Sequence, residues 1–325
     1  MSTPTQTARQ PRPSIIRARD LDAEQTIAGA LDQVSEVILG KRHQASLALS
    51  CLLAGGHLLI EDIPGVGKTT LAQVFARVLG LNFSRIQFTS DLLPADVVGV
   101  AIYRTETATF QFQPGPVFAE VVLADELNRA TPKAQSALLE AMEEHQVTVD
   151  GKSHQLPQPF FVIATQNPMN QIGTFPLPES QLDRFMMRIE IGYPDRATER
   201  KLLTRKDPRT ILPGMTPVMN AGQVGRLQEA AAAVHTGEAL VDYAQALLDA
   251  SRRSPWLTHG LSPRAGMALV RSARAWALID GRDHVVPEDL QQVSGAVLEH
   301  RLQTADREAS TGGLTERLIR ETDIP

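Results

Sequence analysis

Apolar residues recur at helical spacing from Leu21 onward. They occupy positions 21, 27, 31, 34 and 38, and a second apolar run at 45–54 ends at Gly55 and Gly56. This period of three to four residues predicts two helices before the first strand. Residues 1–19 are mostly Ser, Thr, Gln, Pro and Arg, with too few apolar side chains to offset the entropy lost on ordering. We predict a flexible tail there.

Short runs rich in apolar residues follow, and their pattern is typical of buried parallel strands. They cover residues 57–60, 85–88, 121–124, 160–164 and 186–189. Helical patterns lie between most of them, and Thr131 with Pro132 has the sequence of a helix N-cap and first helical residue. Strands that alternate with helices predict an α/β domain with a central parallel sheet in a three-layer αβα core.

Only helical patterns remain after Asp195. They cover residues 195–206, 222–235, 238–252, 263–280 and 287–300. We place the domain boundary in the turn-rich stretch 206–220, because it contains three prolines and a glycine. The predicted domains are a core at 20–205 and an all-helical region at 206–325.

Composition narrows the class of protein. Hydrophobic residues make up 42% and charged residues 21% of the 325 residues, which is close to the average of soluble globular domains. The start lacks the apolar region of a signal peptide, and no apolar run reaches the ~18 residues of a membrane span. Together with the single cysteine, Cys51, this predicts a cytoplasmic protein without a membrane segment. The net charge of -5 argues against a surface built to neutralise nucleic-acid phosphates.

A glycine-rich segment between the first predicted strand and an amphipathic helix has the order of a P-loop. Its candidate phosphate-binding residues are Pro64, Gly65, Val66, Gly67, Lys68, Thr69 and Thr70. The two glycines let backbone N–H groups converge on phosphate oxygens, Lys68 can reach the β and γ phosphates, and Thr69 can ligate Mg²⁺. Asp62 stands where the usual pattern has its first glycine. The alternative is a glycine turn before an ordinary helix.

Polar residues end two further predicted strands. Asp125 and Glu126 follow the run 121–124, and Asn167 follows the run 160–164. Beside a P-loop, Asp125 would hold the Mg²⁺ shell and Glu126 would polarise the water that attacks the γ-phosphate. Asn167 could orient that water, because the carboxyl ends of parallel strands lie at one edge of the sheet. Without a P-loop, the same residues would be a strand meeting solvent and a turn.

The motifs together resemble one known family. Segments 61–69, 124–130, 132–144, 164–168 and 182–185 occur in the order and at the separations seen in MoxR-type AAA+ ATPases. The resemblance extends from about residue 22 to about residue 300. Asp62 is itself a common variant in this family. The resemblance implies an AAA+ P-loop core followed by a C-terminal helical lid.

The resemblance also implies roles for residues of the core. Lys68 and Thr69 would be the Walker A pair, and Asp125 and Glu126 the Walker B pair. Asn167 would be sensor 1. The adenine base would pack against Val37, Ile38 and Gly40.

Two arginines receive roles from the resemblance as well. Arg184 would be an arginine finger that reaches the nucleotide of a neighbouring subunit; the alternative is a surface ion pair with Asp183. Arg264 follows Ser262 and Pro263, which have the sequence of a helix start. It would be sensor 2 and contact nucleotide phosphate; the alternative is a solvated arginine. Glu143, with its neighbour Glu144, is expected on the solvated face of its helix.

Two alternating segments predict β-hairpins inside the core. The first covers 101–112, and the second covers 147–154 with Asp150-Gly151 as its turn. They resemble the helix-2 insert and pre-sensor-1 hairpin of this AAA+ clade. Hairpins of related ring motors face the central pore, so both are candidate substrate contacts.

The implied function is that of a Mg²⁺-dependent, ATP-hydrolysing motor in a hexameric homo-oligomeric ring. It would remodel or activate a client protein, or insert its metal cofactor, with a von Willebrand factor A domain protein as partner. A nucleic-acid motor is the alternative, but the hairpins offer only Arg104, Lys152 and His154 for phosphate contacts. A small-molecule kinase is a third possibility, which the Asp125-Glu126 pair disfavours.

Overall fold

A computed structural model describes residues 21–168, 173–204, 208–306 and 312–324. The tail predicted at 1–19 and the first residues of the predicted boundary lie outside these ranges.

The core combines helices with nine strands in the described ranges. Its elements are α1 (Leu21–Val37), α2 (Arg42–Leu53), β1 (Leu58–Glu61), α3 (Lys68–Val78), β2 (Phe83–Gln87), α4 (Pro94–Val98), β3 (Gly99–Arg104), β4 (Thr109–Pro114), β5 (Val121–Asp125), α5 (Pro132–Glu144), β6 (Gln146–Val149), β7 (Lys152–Gln155), β8 (Phe161–Gln166), α6 (Glu179–Leu182), β9 (Met187–Ile189) and α7 (Arg196–Thr204). Thr131 caps α5 by accepting a hydrogen bond from the Ala134 N–H at 3.4 Å, as predicted.

The lid is helical. It contains α8 (Pro208–Ile211), α9 (Ala221–Ala233), α10 (Glu238–Arg253), α11 (Pro263–Ile279), α12 (Pro287–Leu298) and α13 (Leu314–Arg320). The predicted cap at Ser262 is present, because its hydroxyl accepts the Ala265 N–H at 3.1 Å. The helical pattern of this part of the sequence is therefore confirmed.

The central sheet is parallel and has the order β2-β5-β8-β1-β9. Successive residues of its strands enter two separate apolar clusters, Leu58 and Ile60 on one face and Leu59 on the other. Helices cover both faces, which confirms the three-layer prediction. Because β1 and β5 both flank β8 and all three are parallel, their carboxyl ends lie side by side at one end of the sheet.

One of the two apolar clusters continues from the sheet into the lid. Leu58 of β1, Leu49 of α2 and Leu269 of α11 all belong to it and are at most 1% exposed. The Ser50 hydroxyl donates to the Ser272 carbonyl at 3.0 Å, which fixes α11 on α2. The lid therefore packs on the helices that precede the first strand.

Both predicted hairpins form. β3 pairs antiparallel with β4, and β6 with β7. Asp150 (φ 49°) and Gly151 (φ 75°) form the turn of the second hairpin, and two positive φ values are what a type I′ turn requires. The Phe112 ring stacks on His154 with centroids 3.8 Å apart, so the two hairpins touch.

Candidate active site

The glycine-rich segment forms an open loop between β1 and α3. Gly65 and Gly67 have φ values of 89° and 96°, a region that favours glycine. A Cβ added at either residue would meet nothing within 4 Å. Helix α3 starts directly at Lys68, so its first N–H groups face the loop. The loop therefore has the room and the donors that a phosphate needs.

Lys68 lies among backbone carbonyls at the strand ends. Its ammonium donates to the carbonyls of Asp62, Ile63 (3.2 Å) and Gln166 (3.4 Å). Burial lowers the pKa of Lys68, and the carboxylates of Asp62, Asp125 and Glu126 oppose that shift. A bound phosphate would give this cation a stronger, charged partner than the carbonyls.

Asp62 ties the start of the loop to the chain that leaves β9. Its Oδ2 accepts the N–H groups of Ile191 (2.7 Å) and Gly192 (2.6 Å), and its Oδ1 accepts the N–H of Ile63 at 2.7 Å. Asp62 is 8% exposed, so all three contacts are sheltered from water. A glycine could make none of them, which explains why this loop departs from the usual pattern.

Asp125 lies at the end of β5, close to Thr69. Its Oδ2 is 3.5 Å from the Thr69 hydroxyl, and its Oδ1 accepts the Thr165 hydroxyl at 2.6 Å. Arg85 of β2 donates to Oδ2 through Nη2 at 2.7 Å and Nε at 3.2 Å. Hydroxyl and carboxylate oxygens are the donors that Mg²⁺ prefers, so this pair fits the metal. Arg85 is the cation with which the metal would compete for Asp125.

Glu126 has an unusual backbone conformation and two side-chain donors. Its φ of 56° is left-handed, which is uncommon for a residue other than glycine. Gln87 Nε2 and Arg129 Nη1 donate to its Oε2 at 3.1 Å and 3.0 Å. The Thr165 hydroxyl also accepts the Glu126 N–H at 2.9 Å. Glu126 is therefore held at the sheet edge beside Asp125.

Asn167 and two of the predicted adenine contacts, Val37 and Ile38, are largely buried. Asn167 follows β8 at the same sheet edge as Glu126 and is 8% exposed. Val37 and Ile38, at 2% and 9% exposure, are taken up by the apolar core and leave little surface for a base. A Cβ at Gly40 would lie 3.1 Å from the Thr198 hydroxyl. The adenine contact at these three residues stays a prediction.

Arg184 and Arg264 share one carboxylate, that of Glu143. Arg184 Nη1 lies 2.9 Å from Glu143 Oε2, and Arg264 Nη2 lies 3.0 Å from Oε1. Glu143 lies on the exposed face of its helix, as expected, but it also pairs with these two arginines, which the sequence did not predict. The alternative of an Arg184–Asp183 pair is not what forms, because Asp183 pairs with Arg301 at 2.7 Å.

The two arginines lie near the amino end of β1, at the opposite end of the sheet from the P-loop. They line a pocket with Gly55, Gly56 and His57, which directly precede β1. The P-loop follows β1, whose four residues span ~13 Å. Arg264 thus does not line the P-loop of its own chain, and its role as sensor 2 stays a prediction. The lid places it there because α11 packs on α2, which precedes β1.

His57, which lines this pocket, is uncharged at neutral pH. Burial lowers the pKa of His57 to about 4. His57 Nδ1 accepts the Val162 N–H at 3.0 Å, so its Nε2 carries the proton and donates to the Met142 carbonyl at 3.2 Å. The positive charge of the pocket therefore comes from its arginines.

Comparisons with known proteins identify the family of the chain. A family model described as "ATPase family associated with various cellular activities (AAA)" matches residues 57–187, and an AAA lid domain model matches residues 249–322. Over 300 residues the chain is 43% identical to Chaperone MoxR1 of Mycobacterium tuberculosis, covering 88% of this chain and 78% of that protein. The chain is a MoxR-type AAA+ ATPase.

Two further relatives support the assignment of this MoxR-type ATPase. The uncharacterized protein YeaC of Bacillus subtilis is 43% identical over 300 residues, which cover 92% of this chain and 94% of YeaC. The crystal structure of a candidate ATPase from Cytophaga hutchinsonii superposes with a TM-score of 0.84 at 35% identity, covering 94% of this chain and 96% of that one. Nucleotide binding and ATP hydrolysis are properties of the family.

For this MoxR-type ATPase, the sequence did not predict the roles of three side chains near the two ends of the strands. Arg85 and Gln87 hold the carboxylates of Asp125 and Glu126, and Glu143 holds the two arginines. The only available signal was the alternation in β2, which puts Arg85 and Gln87 on one side of that strand. Within the ranges that the structure describes, no helix has the length and apolar character to cross a membrane.

Proposed function

We propose that this ATPase is a Mg²⁺-dependent ring motor that uses ATP hydrolysis to remodel or activate a client protein, or to insert its metal cofactor, in the cytoplasm. The observation that carries the proposal is the separation of two half-sites. The P-loop lies at one edge of the sheet, and Arg184 and Arg264 lie at the other. A complete site then requires two subunits, each facing the next. We propose a hexamer as the ring.

In the proposed reaction the half-site that contains the P-loop, at the carboxyl ends of the strands, binds the nucleotide. Lys68 and the loop N–H groups hold the phosphates, and Thr69 with Asp125 would hold Mg²⁺. The metal, when bound, would offset charge on the β and γ phosphates. Glu126 polarises the attacking water once its carboxylate is released from Gln87 and Arg129. Asn167, at the end of the neighbouring strand, orients that water.

The opposite half-site completes the neighbour's reaction. Its pocket is lined by the arginines at 184, 264, 271 and 301 and by two acids, Glu143 and Asp183. The excess of positive charge favours a phosphate-bearing ligand. Arg184 and Arg264 would offset the charge that develops on the γ-phosphate of the next subunit.

The hairpins are the proposed contact with the client. Tyr103 and Phe110 of the first hairpin are 50% and 69% exposed, and their rings pack edge to face with centroids 5.3 Å apart. Exposed aromatic side chains are typical of surfaces that bind other proteins. The name of Chaperone MoxR1 supports a protein client, and we propose a von Willebrand factor A domain protein as partner.

Turnover and ATP binding, measured separately on the Arg184→Ala variant, test the proposal. We expect the variant to bind ATP with nearly the affinity of the unchanged protein and to lose hydrolysis. Full turnover would contradict a site completed by a neighbour. ATPase activity that DNA stimulates and that falls with salt would favour the nucleic-acid motor instead.

A further inference from the structure

Glu143 joins two arginines that come from different parts of the chain. It lies in the last turn of α5. Arg184 comes from the segment between α6 and β9, and Arg264 comes from the first turn of α11 in the lid. Each oxygen of the Glu143 carboxylate contacts one guanidinium, at 2.9 Å and 3.0 Å. One side chain thus sets the distance between a core arginine and a lid arginine.

The carboxylate also makes this arrangement of charge favourable. Two guanidinium groups side by side repel each other, and a cation in the first turn of a helix is disfavoured by the helix dipole. Arg264 is such a cation, because α11 begins at Pro263. A negative charge between the two arginines offsets both effects.

Each arginine keeps nitrogens available while it contacts Glu143. Within the described residues, the side-chain contacts of Arg184 run through Nη1, which meets Glu143 and the Leu139 carbonyl at 2.8 Å. Arg264 contacts Glu143 through Nη2. Nε and the second Nη of each group can therefore donate to a further anion. Guanidinium groups bind phosphate oxygens through such paired donors.

We infer that Glu143 is a positioning residue that holds Arg184 and Arg264 side by side, so that both donate to the same phosphate of the neighbouring subunit's nucleotide. This inference rests on the proposed function, because it requires the two arginines to act on another subunit. Glu143 itself does not touch the nucleotide. Its effect is on the rate of hydrolysis in the neighbour.

The Glu143→Gln variant is the first test, with Glu144→Gln as the matched control on the exposed side of the same helix. Misplacing a reacting group by ~1 Å can lower a rate by about 100-fold. We expect Glu143→Gln to lower kcat by about 10- to 100-fold, with KM for ATP and the ATP affinity of the subunit unchanged. Glu144→Gln should keep the activity and thermal stability of the unchanged protein.

Mixed rings separate positioning from a general loss of structure. A Glu143→Ala subunit keeps its own P-loop and Walker B residues, while a Glu126→Gln subunit keeps its arginines and cannot hydrolyse. Where a Glu126→Gln subunit places its arginines against the P-loop of a Glu143→Ala subunit, hydrolysis should return. We expect the mixture to exceed the mean of its two parents several-fold.

Two results would overturn the inference. The first is a Glu143→Gln variant with unchanged kcat while Arg184→Ala is inactive, which would leave the proposed function standing. The second is a mixture no more active than the mean of its parents. If Arg184→Ala itself turns over normally, the proposed function fails, and the inference fails with it.

Discussion

Arg85 occupies the Asp125 oxygen that lies nearest to the Thr69 hydroxyl. Nη2 of Arg85 is 2.7 Å from Asp125 Oδ2, and the Thr69 hydroxyl is 3.5 Å from the same atom. The Asp125 side chain is 11% exposed, whereas that of Arg85 is 47% exposed. The ion pair therefore neutralises a carboxylate that is largely removed from water.

This pair predicts that Arg85 stabilises the nucleotide-free protein more than the loaded protein. Arg85→Ala leaves Asp125 without its cation and should cost about 1 kcal/mol, a fall in Tm of about 2–4 °C. With MgADP bound, the metal would replace the lost charge, so the difference from the unchanged protein should shrink. Thermal melts of both proteins, with and without MgADP, measure this. Arg85→Lys is the control that keeps the charge, and an equal fall in both forms would contradict the prediction.

Asp62 should stabilise the fold by holding the start of the P-loop. Asp62→Gly restores the usual P-loop residue but leaves the N–H groups of Ile63, Ile191 and Gly192 without their acceptor. We expect the free energy of unfolding in urea to fall by about 3 kcal/mol or more, because each of the three unsatisfied donors costs about 1–3 kcal/mol. Asp62→Asn keeps one acceptor oxygen and should lose less. A glycine variant as stable as the unchanged protein would refute this role.

His57 should make stability depend on pH between about 6.5 and 4. Burial lowers its pKa to about 4 in the folded state, so across this window the unfolded chain binds a proton that the folded chain does not. Stability therefore falls as pH falls through the window, by at most about 3 kcal/mol from His57. His300, whose pKa burial also lowers, adds in the same direction.

The His57→Gln variant isolates this contribution. Glutamine offers an acceptor for the Val162 N–H and a donor for the Met142 carbonyl, but it does not titrate. Urea unfolding between pH 7 and pH 4 should give a shallower decline for the variant than for the unchanged protein. Parallel declines would show that His57 does not contribute.

The sequence contained most of the fold and of the nucleotide half-site. Five short runs predicted the five strands of the sheet, most clearly β5 and β8, because strands buried on both faces need apolar residues along most of their length. Because these strands are parallel, their carboxyl ends lie at one end of the sheet. This brings together Lys68, Asp125 and Asn167, which lie at or after those ends. The hairpin turn at Asp150 and Gly151 was predicted for an equally local reason, since its backbone needs residues that tolerate positive φ.

The arginine half-site could not be predicted in the same way. Glu143 and Arg264 are 121 residues apart, and their contact depends on how the lid packs on α2. A helix ending in two glutamates indicates a solvated face unless the position of a distant cation is known. The role of Arg85 could not be predicted either, because only the pairing of β2 with β5 places this strand residue beside Asp125.

The central claim is that each active site is completed by the arginine edge of another subunit. Mixing Arg184→Ala subunits with Glu126→Gln subunits and measuring ATP hydrolysis tests it most directly, because each variant alone lacks a different half of the site. The account predicts two nearly inactive parents and a mixture that hydrolyses ATP, since the Glu126→Gln subunit supplies Arg184 to its neighbour's intact P-loop. A mixture as inactive as its parents would contradict the account.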